Sequence, residues 1–173
     1  RQYRLPTVRD YDAVRKAMER LEKVAAERSP NGLSPVPDER IEQARVAKNS
    51  PFRFHLYGCD SFGLVSTPRQ QLALATLAKD VSSRRRSSKS VQDCLSLVVN
   101  RLANASTSLC RWHNSGEKLE GMFSRQAVSM VWDFAEGAPF GDATGGLDGA
   151  IAWVVNVVEA LSAVRLPVGQ VQR

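Results

Sequence analysis

"TPRQQLALATLAKDV", residues 67 to 81, decides the fold class of this chain. Thr67 stands where a helix cap belongs, Pro68 takes the first helical position, and Gln70 is spaced to return a hydrogen bond to the cap amide. That grammar starts a helix, and the apolar residues behind it carry the helix to about Val81. Toward the C-terminus, "SSRRRSSKS" breaks the apolar pattern. Ser90 with Asp93 restarts it as a long helix with Val91, Leu95, Val98, Val99 and Leu102 on one side. Residues 104 to 108 are too polar for a core face, so the helix is expected to continue solvated or to fray there. A further helix is expected from Ser124 to Glu136, with Val128, Val131 and Trp132 toward the core. Gly145, Gly146 and Asp148 introduce the last one, whose Ile151, Val154, Val155, Val158 and Leu161 form a near-continuous apolar face that also takes in Trp153.

Toward the N-terminus, Thr7 and Asp10 mark a helix start. Tyr11, Val14, Met18, Leu21 and Ala25 then recur at helical spacing until about Ser29. "SPNGLSPVP" is a loop, Asp38 to Ala47 a short helix, and "PFRFHLYG" the best strand candidate, with an extended loop as its rival. The expectation is a mainly α chain of about five helices with at most one or two short strands. Residues 1–29 form an N-terminal helix, 30–51 a linker and short helix, and 52–173 a helical region.

The chain has 173 residues, 43% hydrophobic and 24% charged, as one ordinary globular domain does. No run approaches the roughly eighteen uninterrupted apolar residues of a membrane span, and no apolar leader opens the sequence, so a cytoplasmic protein without a membrane partner is expected. Cys59, Cys94 and Cys110 are an odd number spaced far apart, which points to reduced thiols. The formal charge of +6 is unevenly spread: residues 79–125 carry nine Lys/Arg against four acids, whereas residues 126–164 carry five acids and no Lys or Arg. Such polarity suits phosphates or an acidic partner on one side.

Chemical motifs are sparse. Gly141, Gly145, Gly146 and Gly149 fit neither the dinucleotide fingerprint nor the phosphate loop, and are expected to connect two helices. His55 with Cys59 and Cys110 with His113 are weak candidates for a metal site; the expectation is no metal, with buried thiols and hydrogen-bonded imidazoles instead. Asp133 and Glu136 are spaced as an acid/base pair on one helical face, but a solvated face or helix-end interaction is the preferred reading. No catalytic or cofactor-binding residue is assigned. Arg84, Arg85, Arg86 and Lys89, interleaved with serines, are candidate phosphate contacts, to which Arg111 and Arg125 are added; a solvated loop is the competing reading.

"FHLYGCDSFGLVSTPRQQLALATL", the run from "LSLVVNRLANASTSLCRWH" through "FSRQAVSMVWDFAEGAPFGDATGG", and "AIAWVVNVVEAL" resemble consecutive blocks of the large bacterial adenine-specific DNA methylases that contain a zinc ribbon and occur in phage-defence or modification clusters. The resemblance spans residues 52 to 173. It implies S-adenosylmethionine as the cofactor of the full-length family and a fragment of a larger α/β methyltransferase. Base-flipping methylation of adenine needs an Asp/Asn-Pro-Pro-Tyr motif. Among the eight prolines here no two are adjacent. The glycine-rich cofactor turn and the zinc-ribbon cysteines are also missing, so the chain is expected to lie between the cofactor-binding and catalytic segments and to be inactive alone. The expected function is a noncatalytic segment that scaffolds the methylase and contacts DNA, with the remaining methylase segments as partners. The alternatives are an interaction module that joins a defence-complex subunit without binding DNA, and a methyltransferase complete in itself.

Overall fold

A computed structural model describes residues 4–41, 56, 58–84, 87–124, 131–141 and 145–164. Within them the chain is mainly helical. Four helices, α1 (Val8–Ala26), α2 (Pro68–Ser83), α3 (Lys89–Ala105) and α4 (Leu147–Ser162), accompany a two-stranded antiparallel sheet of β1 (Arg111–His113) and β2 (Lys118–Glu120). The helices pack in series: α1 on α2, α2 on α3, and α3 on α4.

The helix starts follow the capping signals. Thr67 Oγ1 accepts from the Gln70 amide while the Thr67 amide donates to Gln70 Oε1 at 2.8 Å, the reciprocal box expected, and α2 runs two residues past Val81 to Ser83. Thr7 precedes α1, and its amide and hydroxyl both donate to Asp10 Oδ2, at 2.7 and 2.8 Å. α1 stops at Ala26, and its buried positions are Ala17 and Val24, with Tyr11 and Met18 exposed. The buried stripe is thus rotated from the expected one, because α2 receives the face of Leu21, Val24 and Ala25. For α3 the cap is Ser88, two residues before the expected Ser90.

Two small apolar clusters hold the helices. Val24, Val36 and Ala75 join Leu21, Ala25 and Leu72 between α1 and α2. Val98, Leu102, Ala150 and Val154 join Leu74, Leu77, Cys94 and Leu147 between α2, α3 and α4. Leu102, 1% exposed, is the deepest large side chain of this second cluster. Across the same interface the Arg101 guanidinium lies 4.5 Å from the Trp153 ring centroid, a cation–π contact that covers one face of an otherwise half-exposed indole.

Several expectations are corrected. Residues 131–136 are not helical, so the helix anticipated from Ser124 to Glu136 does not extend through them; residues 125–130, including Val128, lie outside the described residues. Trp132 is 93% exposed and Trp153 half-exposed, so neither is a core residue. Their apolar spacing was read against a helix that is absent for the first and only narrowly covered for the second. The polar segment after α3 is not solvated: Ser106 and Thr107 are buried, because hydrogen bonds replace apolar packing there. Ser66 Oγ donates to the Ser106 carbonyl at 2.8 Å, and Ser108 donates from both its amide and its hydroxyl to the Val65 carbonyl at 2.8 and 2.7 Å. Asp38–Ile41 is extended, with Arg40 bridging to Ser61, and the rest of the expected short helix lies outside the described residues. So does all of "PFRFHLYG" except Leu56 and Gly58. Gly149 falls inside the first turn of α4, while Gly146 caps that helix and Gly145, at φ +103°, makes the left-handed turn into it.

Candidate functional site

The first turn of α2 faces the segment that leads toward α4. Glu136, 67 residues away in sequence, places its carboxylate against Arg69, with Nε to Oε1 at 3.0 Å and one terminal nitrogen to Oε2 at 2.8 Å. The Thr67 hydroxyl adds a third donor at 3.2 Å. A carboxylate beside the N-terminal turn of a helix is favoured by the helix dipole, and the forked guanidinium fixes its plane. Asp133 is exposed and not on a helix with Glu136, so the two do not form the paired face that their spacing allowed. Glu136 is a tether, and its partner is Arg69.

Behind this ion pair lies a cleft of about 250 Å³ lined by Arg69, Gln70, Ser106, Glu136 and the short run Gly137, Ala138 and Pro139. Backbone bonds hold its walls: Ala135 donates to the Cys110 carbonyl at 3.0 Å, and Leu147 donates to the Pro139 carbonyl at 2.7 Å. A Cβ at Gly137 would come within 2.5 Å of Leu119 Cδ1, so a side chain there would have to displace the leucine tip. Gln70 is 3% exposed, and its Nε2 finds no hydrogen-bond acceptor. Leaving a buried donor unmet costs about 1–3 kcal/mol, while the Oε1 end of the same side chain accepts from the Thr67 amide at the helix start.

The candidate phosphate contacts are not gathered in this cleft. Arg84 is bound to Asp80 one turn back, at 2.9 and 2.6 Å. Lys89 pairs with Asp93 across one turn of α3, and Arg111 pairs with Glu120 directly opposite it in the hairpin. The Arg111 guanidinium, aided by the charges of His113 and Lys118, holds the Glu120 carboxyl below its usual range against a smaller opposing effect of desolvation. Arg85, Arg86 and Arg125 lie outside the described residues.

Cys110 stands just before β1 and His113 at its end. Cys110 is fully buried, with its sulfur 3.4 Å from both the Asn104 carbonyl and the Thr107 hydroxyl. His113 Nδ1 accepts from the Gly116 amide at 2.9 Å, and Nε2 lies 3.7 Å from Glu120. The thiol is therefore committed to the polar knot after α3 and the imidazole to the hairpin turn. Cys59 is partly buried, which together with the Asp60 charge raises its thiol above the ordinary range. His55 lies outside the described residues, and among the described residues no group of three or more His, Cys, Asp or Glu side chains is placed to hold a metal. The hairpin itself was not foreseen. "NSGE" between two short apolar-bearing runs was the available signal, and Glu117 at φ +46° completes the turn.

α4 leaves much of its apolar surface uncovered. Only Ala150 and Val154 are buried, leaving Ile151, Trp153, Val155, Val157, Val158 and Leu161 between 37% and 51% exposed. Asp148 and Glu159 are its charged side chains, and both are exposed. No helix among the described residues is long and apolar enough to cross a membrane. Compared with known proteins, the chain matches no family model, no curated protein and no solved structure.

Proposed function

We propose that this chain is a noncatalytic helical module that docks through α4 onto the remaining segments of a larger DNA adenine methyltransferase-like protein. The observation that carries this reading is α4 itself. A helix with so wide an apolar face belongs in an interior, yet only a narrow stripe of α4 is buried against α3. Exposed apolar side chains flank the buried Ala150 and Val154 stripe on both sides, Trp153 and Val157 on one and Ile151, Val155 and Val158 on the other, with Asp148 and Glu159 beyond Val155. The partner surface that suits it is an apolar groove rimmed by Lys or Arg. The block resemblance of residues 52–173 supplies the identity of the occupant: the methylase segments that carry the cofactor turn and the Asp/Asn-Pro-Pro-Tyr motif.

Direct DNA contact through the basic stretch is the secondary role. Arg84, Lys89 and Arg111 each already face a carboxylate, which favours docking over phosphate gripping as the main task. A labelled S-adenosylmethionine assay on adenine-containing duplex DNA tests the proposal. The chain alone is expected to transfer no label, and its addition to the polypeptide bearing the Asp/Asn-Pro-Pro-Tyr motif is expected to raise transfer. Transfer by the chain alone, or no effect of adding it, overturns the reading.

A further inference from the structure

The two edges of α4 meet opposite charge. Asp148 and Glu159 stand beyond Val155, and α4 has no Lys or Arg of its own. On the other edge the Arg101 guanidinium, from α3, lies over the Trp153 ring at 4.5 Å from its centroid. Lys89 and Arg101 are the cations of α3, and they are placed differently. Lys89 is matched by Asp93 one turn on, whereas no carboxylate or carbonyl among the described residues accepts from Arg101. Contact with a ring face attracts the positive charge but supplies no oxygen acceptor to the guanidinium N–H groups.

The neighbours of Arg101 are apolar and uncovered. Leu97, one turn earlier on α3, is 56% exposed, and Trp153 and Val157, one turn apart on α4, are 50% and 37% exposed. A partner that covers this edge expels water, and an ion pair made there gains strength from the lower dielectric. Two properties of the edge select a protein carboxylate over a nucleic-acid backbone. Phosphate backbones are held by several cations together, and Arg101 is a single one; Asp148 and Glu159 on the adjoining helix also repel a polyanion. One Asp or Glu in an apolar segment meets neither obstacle, and its two oxygens match the guanidinium fork.

We propose that the edge formed by Leu97, Arg101, Trp153 and Val157 receives an acidic, otherwise apolar segment of the docking partner, whose Asp or Glu carboxylate accepts two hydrogen bonds from Arg101. This assignment rests on the docking role of α4 and adds the partner's polarity: a carboxylate where it meets Trp153, and a cation where it meets Asp148 and Glu159.

Isothermal titration calorimetry of the chain with the polypeptide carrying the Asp/Asn-Pro-Pro-Tyr motif, at low and high salt and with duplex DNA in parallel, tests the assignment. Arg101 is exposed, so its variants should keep the helical circular dichroism of the wild type. Arg101→Gln should weaken the complex by about tenfold or more, Arg101→Glu further, and Arg101→Lys less, with the losses shrinking at high salt. In the complex the Arg101 Nε–H resonance should shift and exchange more slowly with water. Wild-type affinity in both Arg101→Gln and Arg101→Glu overturns the carboxylate contact and leaves α4 docking intact, whereas absence of any complex with the wild type overturns both. A loss equal at low and high salt would mean that Arg101 acts by packing alone, and overturns the contact. So would a loss of affinity for duplex DNA with none for the polypeptide, which assigns the edge to phosphate.

Discussion

Glu136 shows how a single side chain can organise a loop. Its three hydrogen bonds join the segment after residue 131 to the first turn of α2, with the Glu136 side chain 22% and that of Arg69 45% exposed. Glu136→Gln should therefore lower stability by about 1 kcal/mol in urea denaturation. An unchanged midpoint would mean that the tether adds nothing. Asp10 offers a pH signature. Hydrogen bonds from Arg4, then from the Thr7 amide and hydroxyl, hold its carboxyl far below the usual range, so the folded chain binds fewer protons than the unfolded chain in acid. Its stabilising contribution is present above the unfolded pKa of about 4 and is lost as pH falls toward the folded value. Asp10→Asn should flatten the stability profile below about pH 4 and leave its shape near neutrality unaltered. The Thr7–Asp10 half of the second role was legible as a helix start, whereas the role of Glu136 could not be read from local spacing. Asp133 and Glu136 looked like one helical pair because the partner that decides, Arg69, is remote in sequence.

Among the elements, those with chemical punctuation were the legible ones. Thr67, Pro68 and Gln70 fixed the start of α2 because capping is a contact between neighbours. Thr67→Ala should cost about 0.5–2 kcal/mol of stability, measured by thermal or denaturant unfolding. The core of α3 was equally legible at Val98 and Leu102, and Leu102→Ala should cost about 2–5 kcal/mol, since no neighbouring solvent can fill the space it leaves. Less legible was the region after α3. There Ser106 and Thr107 are buried with bonds to residues 66 and 110, beside the Ser108 bonds to Val65, and polarity alone suggested exposure. Gly63 belongs to the same joint. A Cβ at that position would stand 2.4 Å from the Pro37 carbonyl oxygen, a backbone atom that cannot step aside. Gly63→Ala should thus destabilise by roughly 1–3 kcal/mol, whereas Gly149→Ala, open on all sides, should not.

For the molecule as a whole, the mainly helical class followed from periodicity, but the extent of burial did not. Apolar spacing in α4 is equally compatible with a core helix and with an interface, because both exclude water from the same side chains. What separates them is the neighbour, and within the described residues α3 covers only the Ala150 and Val154 stripe. The basic stretch teaches the same lesson about charge. A sum over residues 79–125 suggested a phosphate-binding face, yet Arg84, Lys89 and Arg111 are each locally compensated. The most direct measurement is sedimentation velocity of the chain mixed with the polypeptide carrying the Asp/Asn-Pro-Pro-Tyr motif, using the wild type and the double variant Val155→Asp, Val158→Asp. Both valines are exposed, so the variant should remain folded. A stoichiometric complex with the wild type and affinity lower by about a hundredfold or more in the variant, roughly 3 kcal/mol, is the predicted result. Equal binding by both proteins, or no complex with either, would contradict α4 as the docking surface.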